Sequence, residues 1–172
     1  MRVIAGELKG RRLKAPGWEG LRPTSDKLRE TLFNVVAPRV AGARVLDHYA
    51  GTGAIGIEAL SRRAAHVTFV DSDPRALKLI EDNLRHCGVH ERYVIIRTLQ
   101  SLQAGSIDLA VLDPPYDEPD LTASIAAAQS LIAPGGLLVL EHARRRQAPE
   151  QVGRLRRSRD LLSGDSALAF YV

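Results

Sequence analysis

The chain has 172 residues, of which 45% are hydrophobic and 26% charged, a composition typical of a folded globular domain. No apolar stretch approaches the roughly 20 residues of a membrane-spanning helix, and no long apolar run follows Arg2, so we expect neither a membrane anchor nor a secretory signal. Cys87 is the single cysteine, which excludes an internal disulfide and favours a cytoplasmic location. The length predicts one domain over residues 1–172, and a monomer is the expected state.

The net charge of +4 is unevenly distributed along the chain. Residues 1–14 carry five basic residues against Glu7, and residues 144–159 carry seven arginines against Glu150. The rest of the chain is therefore acidic. Positive charge at both ends favours a polyanionic partner such as a nucleic acid, and the alternative is two solvated basic faces without a partner.

The first 40 residues predict a small extension ahead of the core. A helix can begin at Thr24 or Ser25 and run to about Val36, and Pro38 is expected to end it. Two short β-prone runs on either side of a turn predict a hairpin before that helix: residues 2–5 and 11–14.

From residue 41 onwards, short apolar runs alternate with helical patterns. Unbroken apolar runs separated by helices are typical of a parallel sheet covered on both faces. We therefore predict an α/β, Rossmann-like core over residues 41–172, with a seven-stranded, mostly parallel sheet that ends in a C-terminal antiparallel hairpin. The predicted strands are 44–47, 67–71, 93–97, 107–112, 137–140, 154–160 and 166–172, and the predicted helices are 54–63, 74–87 and 120–132.

The first candidate site is the glycine-rich segment Asp-His-Tyr-Ala-Gly-Thr-Gly at residues 47–53. Gly51 and Gly53 let the backbone approach a ligand, and the following helix N-terminus favours a carboxylate. Asp47 can accept hydrogen bonds from an ammonium group, and Asp71, after the next strand, from ribose hydroxyls. This pattern fits S-adenosylmethionine (SAM). It also fits a dinucleotide, because Gly56 completes G-x-G-x-x-G, and a purely structural glycine turn is a third reading.

The second candidate site is Asp113-Pro114-Pro115-Tyr116, which follows the buried run 107–112. The first and fourth strands of a doubly wound sheet meet at its switch point, so both sites share one crevice. The Asp113 carboxylate and the Pro114 carbonyl can accept hydrogen bonds from both hydrogens of an exocyclic amine on a base. The base must first leave the stacked nucleic acid, and Tyr116 can then stack on it. This motif favours methylation of a nucleic-acid base, and the alternative is a plain proline turn.

These segments resemble the bacterial family that methylates N2 of a guanine in 16S ribosomal RNA (the small-subunit rRNA methyltransferase D type). The resemblance implies a class I SAM methyltransferase whose substrate is 16S rRNA or the small ribosomal subunit. The matching segments are residues 2–6, 10–13, 22–26, 30–34, 47–53, 57–62 and 113–116.

No metal is predicted, because His66, His86, His90 and Glu58 do not cluster in the manner of metal ligands. The resemblance implies roles for individual residues. The implied catalytic residues are Asp113, Pro114 and Tyr116. Those at SAM are Thr24, Asp47, Ala50, Gly51, Gly53 and Asp71, and those at RNA are Arg2, Lys9, Arg11, Arg12, Lys14 and Arg22.

The chain departs from the family pattern at two places. His48 and Tyr49 stand where family members often have apolar residues. No acidic residue follows the third strand, so backbone groups or Thr98 are expected to read the adenine of SAM.

Three other functions stay open at this point. An adenine-N6 methyltransferase acting on DNA or RNA shares the Asp113–Tyr116 motif. A NAD-dependent oxidoreductase would use the glycine segment but leaves that motif without a role. A non-catalytic RNA-binding module would have kept only the fold.

Overall fold

The computed structural model describes residues 1–20 and 24–172 and contains one mixed sheet with helices on both faces. Within this part of the chain, no helix is both long and apolar enough to span a bilayer. The helices are α1 (Asp26–Val40), α2 (Ala54–Ser61), α3 (Pro74–His86) and α4 (Leu121–Gln129). The strands are β1 (Arg44–His48), β2 (His66–Val70), β3 (Tyr93–Ile96), β4 (Ile107–Leu112), β5 (Ile132–Ala143), β6 (Gln151–Val152), β7 (Leu155–Ser163) and β8 (Ser166–Tyr171).

The strand order β3-β2-β1-β4-β5-β8-β7-β6 confirms the predicted α/β fold. Strands β1 to β5 run parallel, and β8 joins β5 in the antiparallel direction through the β7–β8 hairpin. The prediction of seven strands is wrong by one, because the two-residue strand β6 pairs with β7. So short a strand has no side-chain alternation from which it could be recognised.

Two apolar cores lie on opposite faces of the sheet, because successive residues of a strand point to opposite sides. Val45 packs with residues of α1, α2 and α3, whereas the next residue, Leu46, packs with residues of α4. Both side chains are fully buried. This three-layer arrangement places the carboxyl ends of β1, β2 and β4 side by side at one edge.

Helix α1 is longer than predicted. Its N-cap is Ser25, whose hydroxyl accepts a hydrogen bond from the Leu28 amide at 3.1 Å. The expectation that Pro38 ends the helix is wrong, since α1 continues to Val40. A proline removes one helical hydrogen bond, and burial of Val36 and Val40 in the core offsets that loss.

The predicted N-terminal hairpin is present but short: Arg2 and Arg12 form an antiparallel bridge, and the Val3 amide donates to the Arg11 carbonyl at 2.9 Å. The amides of Ile4 and Ala5 donate instead to the two carboxylate oxygens of Glu58, at 2.7 and 3.0 Å. Helix α2 therefore holds the end of the first hairpin segment through the Glu58 side chain. The division into an extension over residues 1–40 and a core over residues 41–172 stays a prediction.

Candidate active site

A cavity of about 660 Å³ lies at the carboxyl edge of β1, β2 and β4. One wall is the loop between β1 and α2, and a second is the segment that follows β4. Asp71 and Asp73 line a third side, and Glu141 of β5 lies on a fourth. The two candidate sites thus open into one cavity, as the sheet topology predicts.

The glycine loop approaches the cavity at Gly51 but not at every glycine of the pattern. Gly51 and Gly53 have positive φ angles of 55° and 76°, which favour glycine. Gly51 lines the cavity and Gly53 does not. A Cβ atom on Gly56 would lie 2.2 Å from the Phe69 ring. Gly56 is therefore required for packing of α2 against β2, independently of any ligand.

Asp71 is fixed by two backbone donors before any ligand is present. Its Oδ2 accepts from the Gly51 amide and its Oδ1 from the Asp73 amide, both at 2.9 Å. Each carboxylate oxygen keeps a further lone pair for a ligand hydroxyl. Asp71 therefore joins the end of β2 to the glycine loop and presents an oriented acceptor.

Asp47 lies at the base of the cavity and is 1% exposed. Its Oδ2 accepts from the Gly56 amide at 2.8 Å, so that the carboxyl group ties the first turn of α2 to β1. Burial, together with the charges of Asp113 and Asp71, raises the pKa of Asp47 to about 8, although the Gly56 hydrogen bond opposes this shift. A cation in the cavity would favour its ionised form.

The two residues that depart from the family pattern follow Asp47. His48 stacks on Tyr49 with 4.1 Å between ring centroids, and burial lowers the pKa of His48 to about 4. Tyr49 has a φ of 64°, lines the cavity and bonds through its hydroxyl to Ser124 of α4 at 3.1 Å. His48 is therefore uncharged at neutral pH, and its ring packs against Tyr49 at the end of β1.

The segment after β4 is held in place from two sides. The Asp113 amide donates to the His48 carbonyl at 3.2 Å, and Asp113 Oδ2 accepts from the Thr24 hydroxyl at 2.7 Å. The Tyr116 hydroxyl contacts Ser166 and also donates to Glu141 Oε1 at 3.3 Å. Asp113, Pro114 and Tyr116 all line the cavity, as does Thr24.

Glu141 was not predicted as a site residue. It is 4% exposed, and burial with the charge of Asp113 raises the pKa of Glu141 to about 9. A hydrogen bond with Asp113 acts in the same direction, whereas those from Tyr116 and Ser166 act against it. The only signal in the sequence is an acidic residue directly after the apolar run 137–140.

Of the remaining residues predicted at SAM, Ala50 lines the cavity and Thr98 does not. Thr98 is exposed at the start of the short 3-10 helix Leu99–Ser101 and caps it without a side-chain hydrogen bond. Among the described residues, no group of three histidine, cysteine or acidic side chains is arranged to hold a metal ion.

The basic residues predicted to bind RNA do not form one cluster at the cavity. The Arg11 guanidinium donates to the Cys87 carbonyl at the C-terminal end of α3. The cavity residue Asp71 lies just before the N-terminal end of α3, so the length of this helix separates Arg11 from Asp71. The Lys14 amide donates to Asn83 in the same helix. Arg2, Lys9 and Arg12 lie on the N-terminal turn and its bridge, and Arg22 lies outside the described residues.

A second group of basic residues lies closer to the cavity. Arg144 and Arg145 are exposed in the turn after β5, and Arg146 donates to the carbonyl of Glu118, which lines the cavity. The Arg144 amide also donates to the Asp165 carbonyl in the β7–β8 turn at 2.8 Å. This arginine turn, residues 144–146, is thus fixed beside the loop that follows Tyr116.

Comparison with known proteins decides the family. The family model described as "Conserved hypothetical protein 95" matches residues 1–172. The chain belongs to this family. A family relative, the "Putative rRNA methyltransferase YlbH" of Bacillus subtilis (strain 168), is 37% identical over 180 residues, which cover 99% of this chain and 98% of that protein. The "Ribosomal RNA small subunit methyltransferase D" of Escherichia coli (strain K12) is 40% identical over 119 residues, covering 67% of this chain and 60% of that protein.

The solved structures show the same relationship. The "Putative methyltransferase yhhF from Escherichia coli" superimposes with a TM-score of 0.84 and 29% identity, and the match covers 99% of this chain and 96% of that chain. Together with the family relatives, it confirms the predicted family and the methyltransferase fold. The predicted methyl-donor cofactor, SAM, is confirmed at the level of the family.

Proposed function

We propose that this chain is a cytoplasmic enzyme that transfers a methyl group from SAM to the exocyclic N2 amine of a guanine in 16S rRNA of the small ribosomal subunit. The observation that carries the proposal is the shared cavity, in which the Gly51–Asp71 hydrogen bond lies opposite the Asp113 carboxylate held by Thr24. The names of the relatives support rRNA as the substrate.

The described residues fit the cofactor. A cavity of about 660 Å³ lies within the usual range for small-molecule sites. Asp71 offers an oriented carboxylate to ribose hydroxyls, the N-terminus of α2 offers amides to a carboxylate, and Asp47 offers an acceptor to an ammonium group. When bound, SAM supplies the methyl group as an electrophile.

Asp113 and Pro114 would orient the amine that receives the methyl group. The lone pair of an exocyclic amine is delocalised into its base, so the amine is a poor nucleophile unless both hydrogens are held by acceptors. The Asp113 carboxylate and the Pro114 carbonyl provide two acceptors on adjacent residues, and Asp113 is also placed to take the proton that the methylated nitrogen loses. Alignment of the amine with the methyl group for in-line displacement would supply most of the rate enhancement, and electrostatic stabilisation would contribute less.

Tyr116 would form one side of the pocket for the extruded base. Its hydroxyl bonds to Glu141 and Ser166 fix the ring beside Pro115, so a stacking partner would be in place before the base enters. A rigid aromatic face lowers the cost of holding a base outside its stack, a cost of roughly a few kcal/mol.

The RNA backbone would be held by basic side chains on both sides of the cavity. Of the N-terminal group, Arg2, Lys9, Arg12, Lys14 and Arg22 are proposed to meet phosphates, whereas Arg11 also serves the end of α3. The exposed Arg144 and Arg145 extend this surface next to the cavity rim. Affinity should therefore fall steeply with salt concentration.

Adenine-N6 methylation is the second candidate, because the Asp113–Tyr116 motif suits any exocyclic amine. The deciding experiment supplies methyl-labelled SAM with undermethylated small subunits, naked 16S rRNA or DNA, and identifies the labelled nucleoside after digestion. Label in N2-methylguanosine from ribosomal substrate is the expected result, and Asp113→Ala should abolish it while SAM binding persists. Label in N6-methyladenine would overturn the guanine assignment, and SAM binding without any labelled nucleoside would overturn the substrate class.

A further inference from the structure

Glu141 lies beside the reacting edge of the cavity, on strand β5, with no role assigned by the proposed function. Its Oε1 accepts from the Tyr116 hydroxyl. Its Oε2 is buried, and no donor among the described residues reaches it. The Asp113 carboxyl lies within hydrogen-bonding reach of the same group. Two carboxyl groups therefore meet at the cavity wall, where Glu141 is 4% exposed and Asp113 is partly buried.

This contact requires a proton. Two ionised carboxylates in contact repel each other, and a buried anion with an oxygen that lacks a donor is costly. A proton on Glu141 removes both penalties, because the neutral carboxyl becomes the donor and Asp113 the acceptor. Among the residues that the structure describes, the polar groups that face Glu141 are Asp113 and Tyr116 after β4 and Ser166 of β8. Because burial and the Asp113 charge outweigh the two hydroxyl groups, Glu141 stays protonated at neutral pH.

We propose that Glu141 is a positioning residue whose neutral carboxyl donates a hydrogen bond to Asp113 and holds that carboxylate ionised and aimed at the substrate amine. The Thr24 hydroxyl donates to Asp113 Oδ2, so donors from β5 and from the start of α1 act on one carboxylate. Glu141 thereby also joins Asp113 to Tyr116, so one residue orients both the acceptor of the amine and the ring beside it.

The proposal rests on the proposed methyl transfer and predicts a particular order of variants. Glu141→Gln keeps a donor and is uncharged at every pH, whereas Glu141→Leu keeps the size and loses the hydrogen bonds. We expect kcat of the Gln variant within about threefold of the wild type, and kcat of the Leu variant lower by about 100-fold, since small misplacements of reacting groups cost that much. SAM affinity should change by less than about threefold in both variants, because neither loses a group proposed to contact SAM.

The pH profile separates positioning from a merely structural role. Above about pH 9 the wild type should lose activity as Glu141 ionises and stops donating, and the Gln variant should lack this loss at Glu141. A Gln variant as inactive as the Leu variant would overturn the proposal, as would a Leu variant with normal kcat or identical pH profiles for the Gln variant and wild type.

A spectroscopic measurement keeps this inference distinct from the proposed function. The infrared difference spectrum at pH 7, wild type minus Glu141→Gln, should contain the band of a protonated carboxyl from Glu141, with no RNA required. The protonated Asp47 is common to both proteins and cancels in this difference. Absence of the Glu141 band from this difference would overturn the inference even if N2-methylguanosine is formed. A wild type that shows the band but methylates no guanine would overturn the proposed function, while the protonated pair would stand.

Discussion

Replacement of Glu58 by alanine should strongly destabilise the protein, because this fully buried carboxylate joins helix α2 to the N-terminal segment. It accepts hydrogen bonds from the amides of Ile4 and Ala5, at 2.7 and 3.0 Å, and from Arg62 Nε at 2.8 Å. Its Oε2 also lies 3.7 Å from Nη1 of Arg29, whose side chain is 0% exposed.

The magnitude follows from what Glu58→Ala leaves behind. Within residues 1–20 and 24–172, the buried Arg29 guanidinium keeps only Asp26 as a carboxylate partner, and loss of one member of a buried ion pair costs about 3–5 kcal/mol. Two backbone amides also lose their acceptor, at about 1–3 kcal/mol each unless water enters. Because these contributions overlap, we expect a total loss of about 4 kcal/mol, a large share of the roughly 5–15 kcal/mol that a domain possesses.

Urea unfolding measures this loss, and Glu7→Ala is the matched control on the same segment. Glu7 pairs with Arg63 at 3.0 Å, but the side chains are 50% and 75% exposed, so its removal should cost at most about 1 kcal/mol. With a urea dependence of roughly 2 kcal/mol per molar, the midpoint should fall by about 2 M in Glu58→Ala and by less than about 0.5 M in the control. Equal midpoints for the two variants would refute the inference that Glu58 anchors the N-terminal segment.

Three further outcomes are expected. Gly56→Ala should lower the free energy of unfolding in urea by about 1–3 kcal/mol, because the new Cβ meets the Phe69 ring. In the control Gly17→Ala the new Cβ meets nothing within 4 Å, so the free energy of unfolding should hardly change. Equal losses in the two variants would contradict the packing role of Gly56. Asp47 has a folded-state pKa of about 8 against an ordinary value of 3.8, so between these pH values the folded state keeps a proton that the unfolded chain has lost. The free energy of unfolding should therefore fall as the pH rises from about 4 through 8, and it should fall less steeply in Asp47→Asn. Parallel curves of stability against pH for the two proteins would contradict the raised pKa. Arg145→Ala should weaken RNA binding and reduce the slope of log affinity against log salt by about one, and an unchanged slope would show that Arg145 meets no phosphate.

The core of the fold was predictable because its strands are buried on both faces. Residues 109–112, which follow Asp108, are apolar without interruption, a pattern typical of neither a half-exposed strand nor an amphipathic helix. Once helices separate β1 from β2 and β2 from β3, the topology of a doubly wound sheet places β1 beside β4. Those two steps suffice to bring Asp47 and Asp113 to one cavity without any information on side-chain contacts.

Residues whose role depends on tertiary contacts were not predictable in the same way. Gly53 and Gly56 fit a ligand-binding pattern, yet the space beside them is filled by Ile80 and Phe69. Glu141 meets Asp113 only because β5 lies next to β4 in a particular register. The residues around Asp113 and Glu141 carry no signal for that register. From the sequence, Asp113 is therefore an acidic residue at the end of one strand and Glu141 an acidic residue of another, without any sign that they meet.

Helix α2 links the parts of the molecule that the proposed reaction requires. Its first turn is tied to Asp47 through Gly56, and its middle holds the N-terminal segment through Glu58. That segment leads into Thr24, whose hydroxyl bonds to Asp113 at the far side of the cavity. A change that detaches the N-terminal segment from Glu58 should therefore disturb Asp113 as well as the basic surface. We infer that the first 40 residues help to build the catalytic site, and that deletion of them would remove methyl transfer even if the remaining sheet still bound the cofactor.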